Sequence, residues 1–488
     1  MEDWLRQRRY FNERPMLWGI PGALIGALLA LRLGGWLLLV LGLVTLALGV
    51  VLLRRGRAVY ALPLLLGLLL LRGAALPQVN VVPGLYEVTG AVMDAPEQKR
   101  GETTVILDRV TLDGRRVPGA LTLTVPFHAD LAYGDAMSLQ ARVTPDDRGA
   151  VQSLKTVLYA AQGAGEIIVR QGRADPLYGL ALRWREKLGA SADALFGENG
   201  GVARGMLFGD RDDVHYLTFL AFRRSGLLHL LTVSGLHVGV VCGAALRLIR
   251  GRRKWLRFLL SVLLLFLFCL LTGLSPSSLR AAIMLLAVWF SHLLDRQDDP
   301  ISVIGCAWTL LLLINPALLM ASGFRLSFGA IWGLSCLTGP VTDLLHGQRE
   351  GLGGLLAGAV GVFLGTLPLL SVTGGEVSWV GMFLSLLALP AAPLFLIPGW
   401  IAVLLYPLLP AAARIVALLP KGVLYYLFTL AELVPVAGLT LPPCNGAALL
   451  LWFAGMLFVS DYFLPNRTKP AFLGWGLMAA GALVWFLV

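Results

Sequence analysis

A chain of 488 residues that is 57% hydrophobic and 14% charged lacks the polar surface of a water-soluble protein with buried helices, because ordinary domains carry about 25% charged residues. Its net charge of +11 suits a polyanionic partner, although cytoplasmic loops of membrane proteins carry excess Lys and Arg in any case. The five cysteines, Cys242, Cys269, Cys306, Cys336 and Cys444, form no CxxC pair and point to neither a disulfide framework nor a zinc site.

A bilayer-spanning helix takes roughly 20 mostly apolar residues, and about a dozen segments of that kind are expected from residue 16 onward. The first, "MLWGIPGALIGALLAL", is followed at once by "WLLLVLGLVTLALGVVLL", which predicts a helical hairpin and not a cleaved signal peptide. Arg6, Arg8, Arg9 and Arg14 put the N-terminus in the cytoplasm, and "RRGR" at 54–57 closes the hairpin on the same side. "AVYALPLLLGLLLL" then crosses outward, so residues 1–76 are read as N-terminal transmembrane helices.

Residues 77–175 change character and are expected outside the cell membrane. "GLYEVTGAVMDAP", "TTVILDRVTLDGRRV", "GALTLTVPF", "GDAMSLQARVTPDD" and "GEIIVRQG" are short β-branched stretches parted by turn residues, with Asp113-Gly114 a hairpin signal. About five short strands fit a small barrel, with the OB-fold leading. This segment holds ten Lys or Arg against twelve Asp or Glu, a balance that makes no electrostatic trap for a nucleic acid backbone. Any such binding would rest on a local patch or on stacking.

"LYGLALRWREKLGASADALF" predicts an amphipathic helix over 176–198. Leu177, Leu180, Ala181, Trp184, Leu188 and Leu195 recur at helical spacing, with Arg183, Arg185, Glu186 and Lys187 opposite. Such a helix either lies on the outer membrane interface or packs on the bundle. From 199 to 488 apolar segments follow closely, among them 228–248, 255–273, 279–294, 301–314, 317–336 and 352–371. The basic residues Arg247, Arg250, Arg252, Arg253, Lys254 and Arg257, then Arg296, then Arg467 and Lys469, agree with the orientation set at the N-terminus.

Chemistry concentrates in "HLLTVSGLHVGVV", residues 229–241. His229 and His237 stand eight apart, about 12 Å along an unbroken helix, too far to share a metal ion. Ser234 followed by His237 has the spacing of a nucleophile and its base, without a local carboxylate to orient the imidazole. Thr232, Ser234 and the histidines could instead hydrogen-bond between helices, or line a polar path. Further polar insertions bring Asp210 and Arg211 in "GMLFGDRDD", Ser277 and Arg280 in "LTGLSPSSLRAAIML", and Arg325 and Ser327 in "GFRLSFGAIWG". Ser275 or Ser277 is placed to cap the helix that starts at Pro276. Arginine at membrane depth calls for a carboxylate, helix carbonyls or an anionic substrate, and carboxylates are scarce here: Glu376 and Glu432, with Asp210 able to reach in from the side. Trp332, Phe324 and Phe328 offer stacking surfaces.

"HLLTVSGLHVGVV", preceded by "GDR" and followed by "LTGLSPSSLRAAIM", "GFRLSFGAI" and "LALPAAPLFLIPGW", resembles the ComEC family of competence DNA-uptake channels over roughly residues 200–400. The resemblance implies a polytopic α-helical membrane protein with an inserted small extracellular OB-like β-barrel, whose channel domain passes a single DNA strand into the cytoplasm. It also implies partners on other chains: a DNA receptor, an extracellular nuclease and a cytoplasmic ATP-driven motor. Phe324-Arg325-Leu326-Ser327 departs from the family's usual Phe-Gln-Leu-Ser by one added charge. Many members carry a C-terminal metallo-β-lactamase-like domain, whereas this chain stops at Val488. Its histidines, at 128, 215, 229, 237, 292 and 346, form no His-x-His-x-Asp-His cluster, and no G-x-x-x-x-G-K-[ST] loop occurs. The expectation is therefore a membrane channel with no enzymatic step and no cofactor. The alternatives are a transporter of another anionic or lipid-linked solute, and an intramembrane serine hydrolase using Ser234.

Overall fold

The computed structural model describes residues 15–32, 35–53, 61–74, 81–94, 96–99, 102–117, 119–127, 131–145, 151–152, 155–163, 167–171, 175–211, 213–247, 253–294, 300–345, 351–372, 376–433, 439–460 and 471–487. Arg6, Arg8, Arg9, Arg14, the 54–57 cluster, Arg250, Arg252, Arg296, Arg467 and Lys469, on which the expected orientation rests, lie outside the described residues.

Three apolar helices come first: α1 (Pro15–Arg32), α2 (Gly35–Leu53) and α3 (Ala61–Ala74). They cross closely because glycine removes the side chain at the contact. A Cβ on Gly67 would fall 2.5 Å from the Leu46 nitrogen, and one on Gly26 2.7 Å from the Leu69 Cβ. At the end of α3, Arg72 donates to the Ile314 carbonyl at 3.1 Å, which ties this group to the later bundle.

Nine described strands follow in one sheet, four of them only two or three residues long; the five long ones are β1 (Gly84–Val92), β2 (Glu102–Leu112), β3 (Ala120–Val125), β4 (Ala136–Pro145) and β5 (Lys155–Gly163). They close into a barrel in the cyclic order β1-β2-β3-β5-β4. Every pairing around the ring is antiparallel except β3 with β5. The period-2 pattern of a strand with one wet face shows in β4, which buries Met137, Leu139, Ala141 and Val143 and turns the alternate residues outward. Tyr159, Leu107, Leu121 and Leu123 fill the interior. The hairpin expected at Asp113-Gly114 is present, with φ of 48° and 75°, the left-handed pair that suits the twist of two-residue hairpins.

The remainder is helical. α4 (Pro176–Phe196) starts on Asp175, whose carboxylate accepts from the Leu177 and Tyr178 amides. Its apolar stripe divides: Ala181, Leu188 and Leu195 are buried in the bundle, while Leu177, Leu180 and Trp184 stay about half exposed. The second half of the helix therefore packs on the bundle, and its first half keeps an exposed apolar stripe. Tyr178 donates to Asp94 of the barrel at 3.0 Å and meets the Tyr133 ring edge-on, so α4 joins barrel to bundle. Burial, then the Asp94 charge, pushes the Tyr178 hydroxyl well above its usual pKa, which keeps it a donor.

Then come α5 (Gly200–Phe208), α6 (Tyr216–Arg224), α7 (Gly235–Arg247), α8 (Lys254–Leu271), α9 (Pro276–Leu293), α10 (Pro300–Ile314), α11 (Ser322–Leu344), α12 (Leu352–Val372), α13 (Trp379–Ala388), α14 (Ala391–Leu405), α15 (Pro410–Val416), α16 (Leu418–Glu432), α17 (Gly446–Val459) and α18 (Ala471–Leu487). Among the described residues, two helices, Lys254–Leu271 and Gly353–Val372, are long and apolar enough to cross a membrane by length and composition. Two pairs bent by 46° and 41°, Val380–Ala388 with Ala391–Leu405 and Pro410–Val416 with Leu418–Glu432, bring the number to four if each is one span. Six shorter apolar helices among the described residues, Ile20–Leu29, Leu37–Ala47, Pro300–Ile314 and Phe472–Leu487 included, stand beside these. The apolar segments 228–248 and 317–336 are not single helices: 3₁₀ turns at Leu227–Leu231 and Pro316–Met320 stand ahead of α7 and α11.

Small residues set the closest helix pairs. α11 and α12 meet along Gly329 and Gly333 facing Gly361 and Gly365. A Cβ on Gly333 would lie 2.1 Å from the Gly361 carbonyl oxygen, and one on Gly365 2.2 Å from that of Gly329. α17 and α18 repeat the device at Gly455 and Gly474, where a Cβ would fall within 2.6 Å of a neighbour. Backbone-to-backbone contact through paired GxxxG motifs is characteristic of helices that associate in lipid.

Candidate functional site

Three helices of the bundle start at interior breaks, and each carries one of the polar groups singled out from the sequence. α7 starts after the 3₁₀ turn and Ser234. The Ser234 amide donates to His237 Nδ1 at 3.2 Å, and its hydroxyl lies 2.9 Å from the same nitrogen. An N-cap amide received by the side chain three residues on is the capping-box arrangement, here with imidazole in place of the usual Glu or Gln. The Ser-x-x-His spacing thus has a structural cause. Because a backbone N–H can only donate, Nδ1 accepts, and the neutral ring carries its proton on Nε2. The His237 side chain is 1% exposed, and Nε2 has no partner of normal hydrogen-bond geometry, although the Leu230 carbonyl approaches the ring.

α9 starts after the turn Thr272–Ser275, in which both Gly273 and Leu274 are left-handed, at φ 69° and 52°. A leucine held at positive φ is strained and needs support from its surroundings. That support includes Arg185 of α4, whose guanidinium lies 3.0 Å from where a Cβ on Gly273 would sit. Ser275 is the cap, its hydroxyl accepting from the Ser278 amide. Thr272, Ser278, Ser275 and Ser277 form a chain of hydroxyls with steps of 2.9, 2.8 and 3.2 Å. Arg280 follows within two turns. It is 4% exposed, with Nε and Nη1 lacking any hydrogen-bond partner. Its guanidinium carbon lies 5.9 Å from the centre of the Phe324 ring.

α11 starts after Pro316–Met320 and places Phe324, Arg325, Ser327 and Phe328 in its first two turns. Phe324 and Phe328 are buried and pack with Trp308 of α10, ring centres 4.6 to 5.1 Å apart. They serve the core first. Arg325 and Ser327 are half-buried, and Arg325 Nε has no partner. The three helix starts adjoin: a Cβ on Gly235 would lie 3.9 Å from that of Ala281, and Arg280 reaches Phe324. Helix N-termini carry partial positive charge and unsatisfied N–H groups. Arginine and tryptophan ring nitrogens donate only, and the partnerless atoms in this bundle also include the indole nitrogens of Trp308, Trp332 and Trp400. Most of the unpartnered buried side-chain atoms in the bundle are thus donors.

Asp210 and Arg211 belong to a neighbouring feature. Arg204 of α5, which the sequence reading passed over, holds three carboxylates: Asp213 at 2.6 Å, Asp193 at 3.3 Å, and Asp210 by its second terminal nitrogen. Burial pulls the Arg204 pKa down, but the three acids more than reverse it, so the group stays charged. The loop after α5 is thereby fixed beside the 3₁₀ turn: a Cβ on Gly205 would lie 3.5 Å from the Leu231 carbonyl oxygen, and one on Gly209 3.2 Å from Val233. Asp210 accordingly answers Arg204, not Arg280, contrary to the expectation that it reaches into the core. Glu432 is exposed and does not answer Arg280 either. Arg211 is exposed. Thr232 donates to the His229 carbonyl at 2.8 Å. His229 Nδ1 lies 3.0 Å from the Gly226 carbonyl oxygen, and its side chain is exposed between buried Leu227 and Leu230.

A largely helical, apolar chain with a five-stranded barrel near its N-terminus and polar groups gathered at three helix starts defines the class of protein. The chain belongs to the Competence protein family, the ComEC group, whose family model matches residues 206–464 and so takes in all three helix starts. It is similar to "ComE operon protein 3" of Bacillus subtilis, 31% identical over 42% of this chain and 26% of that protein. It is also similar to "Competence protein ComA" of Neisseria gonorrhoeae, 28% identical over 60% and 49%, and to "Recombination protein 2" of Haemophilus influenzae, 27% identical over 27% and 18%. The chain thus spans half or less of the length of these relatives in the matched regions. No solved structure matches.

Proposed function

We propose that this chain acts in DNA uptake for natural transformation, as a multi-pass protein of the plasma membrane that passes a single DNA strand through its helical bundle. The observation that carries the reading is Arg280, a buried guanidinium with two nitrogens unanswered and no ion pair among the described residues. A phosphodiester chain entering hydrocarbon must exchange its hydration for donors. Arg280 and Arg325 offer donor nitrogens without partners, beside the His237 Nε2–H and three helix N-termini, the complement of a passing phosphate. His229, Thr232, Ser234, Ser277 and Ser327 extend the polar wall, and the Arg204 hub, through Asp210, fixes the loop beside it.

The barrel's strand order, with its single parallel pair, is consistent with an OB-like fold, which grips single strands by stacking where its net charge is unhelpful. We place it outside the cell and the N-terminus in the cytoplasm. The half-exposed Leu177, Leu180 and Trp184, with Lys187 over the Trp184 ring at 5.8 Å, suit the interface between them. A DNA receptor, a nuclease and an ATP-driven motor would be separate chains, and no cofactor or chemical step is assigned to this one.

Two observations favour other readings. The Ser234–His237 contact suits a serine hydrolase, but the imidazole is engaged as a cap, and Nε2 has no carboxylate to orient it. The two bent helix pairs suit a transporter of another anionic or lipid-linked solute. Transformation of a deletion strain with labelled DNA, scored separately for surface binding and internalisation, decides among them. The Arg280→Ala variant should insert in the membrane and leave surface binding intact but not internalise DNA. Normal internalisation by that variant at wild-type expression overturns the proposal.

A further inference from the structure

About 18 Å along α9 from Arg280, at the far ends of the same helices, α7, α8 and α9 enclose a cavity of about 390 Å³. Lys254 and Arg257 come to it from α8, three residues apart and hence on one face. His292 and Trp289 come from α9, and Phe258 and the buried Ser261 complete the polar and aromatic wall. Among the described residues no acidic side chain lines it. Arg257, with Lys254 and His292 on the same wall, gives the cavity the positive side that an anion seeks. What lies beside it indicates which anion. Trp255 and Leu259 on α8, and Phe290 and Leu294 on α9, are large apolar side chains 47 to 66% exposed. The Phe258 and Phe290 rings, 5.8 Å apart, form the rim between cavity and apolar face.

We infer that this cavity holds the headgroup of an anionic phospholipid, its acyl chains running along the exposed apolar faces of α8 and α9. The inference rests on reading the bundle as membrane-embedded. The positive loops then put the cavity at the cytoplasmic leaflet, where anionic lipids gather and basic pockets between helices receive them. A free phosphate or an oligonucleotide would have no use for the adjoining apolar surface.

The test is native mass spectrometry of the full chain in detergent, titrated with phosphatidylglycerol or phosphatidylcholine. Wild type should retain phosphatidylglycerol in preference. Arg257→Gln should weaken retention about fivefold, the loss of one cation near an anionic surface, and Arg257→Lys should restore it. Arg247→Gln, exposed at the end of α7 and outside the cavity lining, should leave retention unchanged. An equal loss from Arg247→Gln, no preference between the lipids, or displacement of the lipid by a short single-stranded oligonucleotide or by millimolar inorganic phosphate would each overturn the inference. Arg280→Ala separates the two proposals, because it should lose DNA internalisation while keeping the lipid.

Discussion

If Arg280 is kept for a passing anion and not for the fold, then removing its charge should strengthen the resting protein while disabling it. An arginine at the centre of an apolar helix costs about 2.5–3.5 kcal/mol. The Phe324 ring, at 5.9 Å from the guanidinium, sits near the limit of useful approach and returns about 0.5–2 kcal/mol. The hydroxyl chain at the start of α9 is satisfied within itself and adds nothing to the balance. Arg280→Met fills a similar volume, packs its thioether against Phe324, and should therefore stabilise the chain by about 0.5–3 kcal/mol, in line with other buried charges replaced by apolar residues. Thermal unfolding in one fixed detergent, followed by the fluorescence of the 13 tryptophans, should show a higher midpoint, and internalisation of labelled DNA should be lost. A lower midpoint would mean that the guanidinium is well served at rest, and the case for an unanswered donor would fail.

Other perturbations follow from the packing. Gly333→Ala brings a Cβ to 2.1 Å from the Gly361 oxygen, where ordinary C···O contacts are about 3.3–3.6 Å. Parting α11 from α12 by the difference should cost about 1–3 kcal/mol. Gly476→Ala meets nothing within 4 Å and should gain about 0.5–1 kcal/mol, so equal effects in detergent unfolding would contradict the seam. Arg204→Gln strands Asp210, whose side chain is 13% exposed, and should cost about 2–4 kcal/mol. The more exposed Asp193 and Asp213 add little. A double-mutant cycle with Asp210→Asn should show about 1–3 kcal/mol of coupling, and additivity would dissolve the hub. His237→Gln preserves a capping-box acceptor and should unfold within about 0.5 kcal/mol of wild type, whereas His237→Ala should lose about 0.5–2 kcal/mol. Equal losses would show that Nδ1 does not cap α7.

The parts legible in the sequence were those set by neighbours along the chain. Asp113-Gly114 encodes its own turn through left-handed backbone, and the 3.6-residue recurrence from Leu177 to Leu195 marks α4. His237, Arg280 and Arg325 stand out because polar atoms are rare in apolar runs. Hydropathy registers apolarity and not continuity, so it did not show that "LLHLL" and "PALLM" coil as 3₁₀ turns. Arg204 escaped notice because its acids lie 6, 9 and 11 residues away, at no helical period, and converge only once α4, α5 and the following loop have packed. The capping role of His237 was hidden by residue type, since imidazole seldom fills a place that Glu or Gln usually takes.

The glycine contact between α11 and α12 has a mechanical consequence. Where carbonyl oxygens rest on bare Cα atoms there are no side chains to repack, so the two helices behave as one stiff blade, and α17 with α18 as another. Rearrangement of the bundle must then come from hinging between blades, at the kinked joints near Pro390 and Ala417, while Arg325 on α11 moves with its blade as a whole.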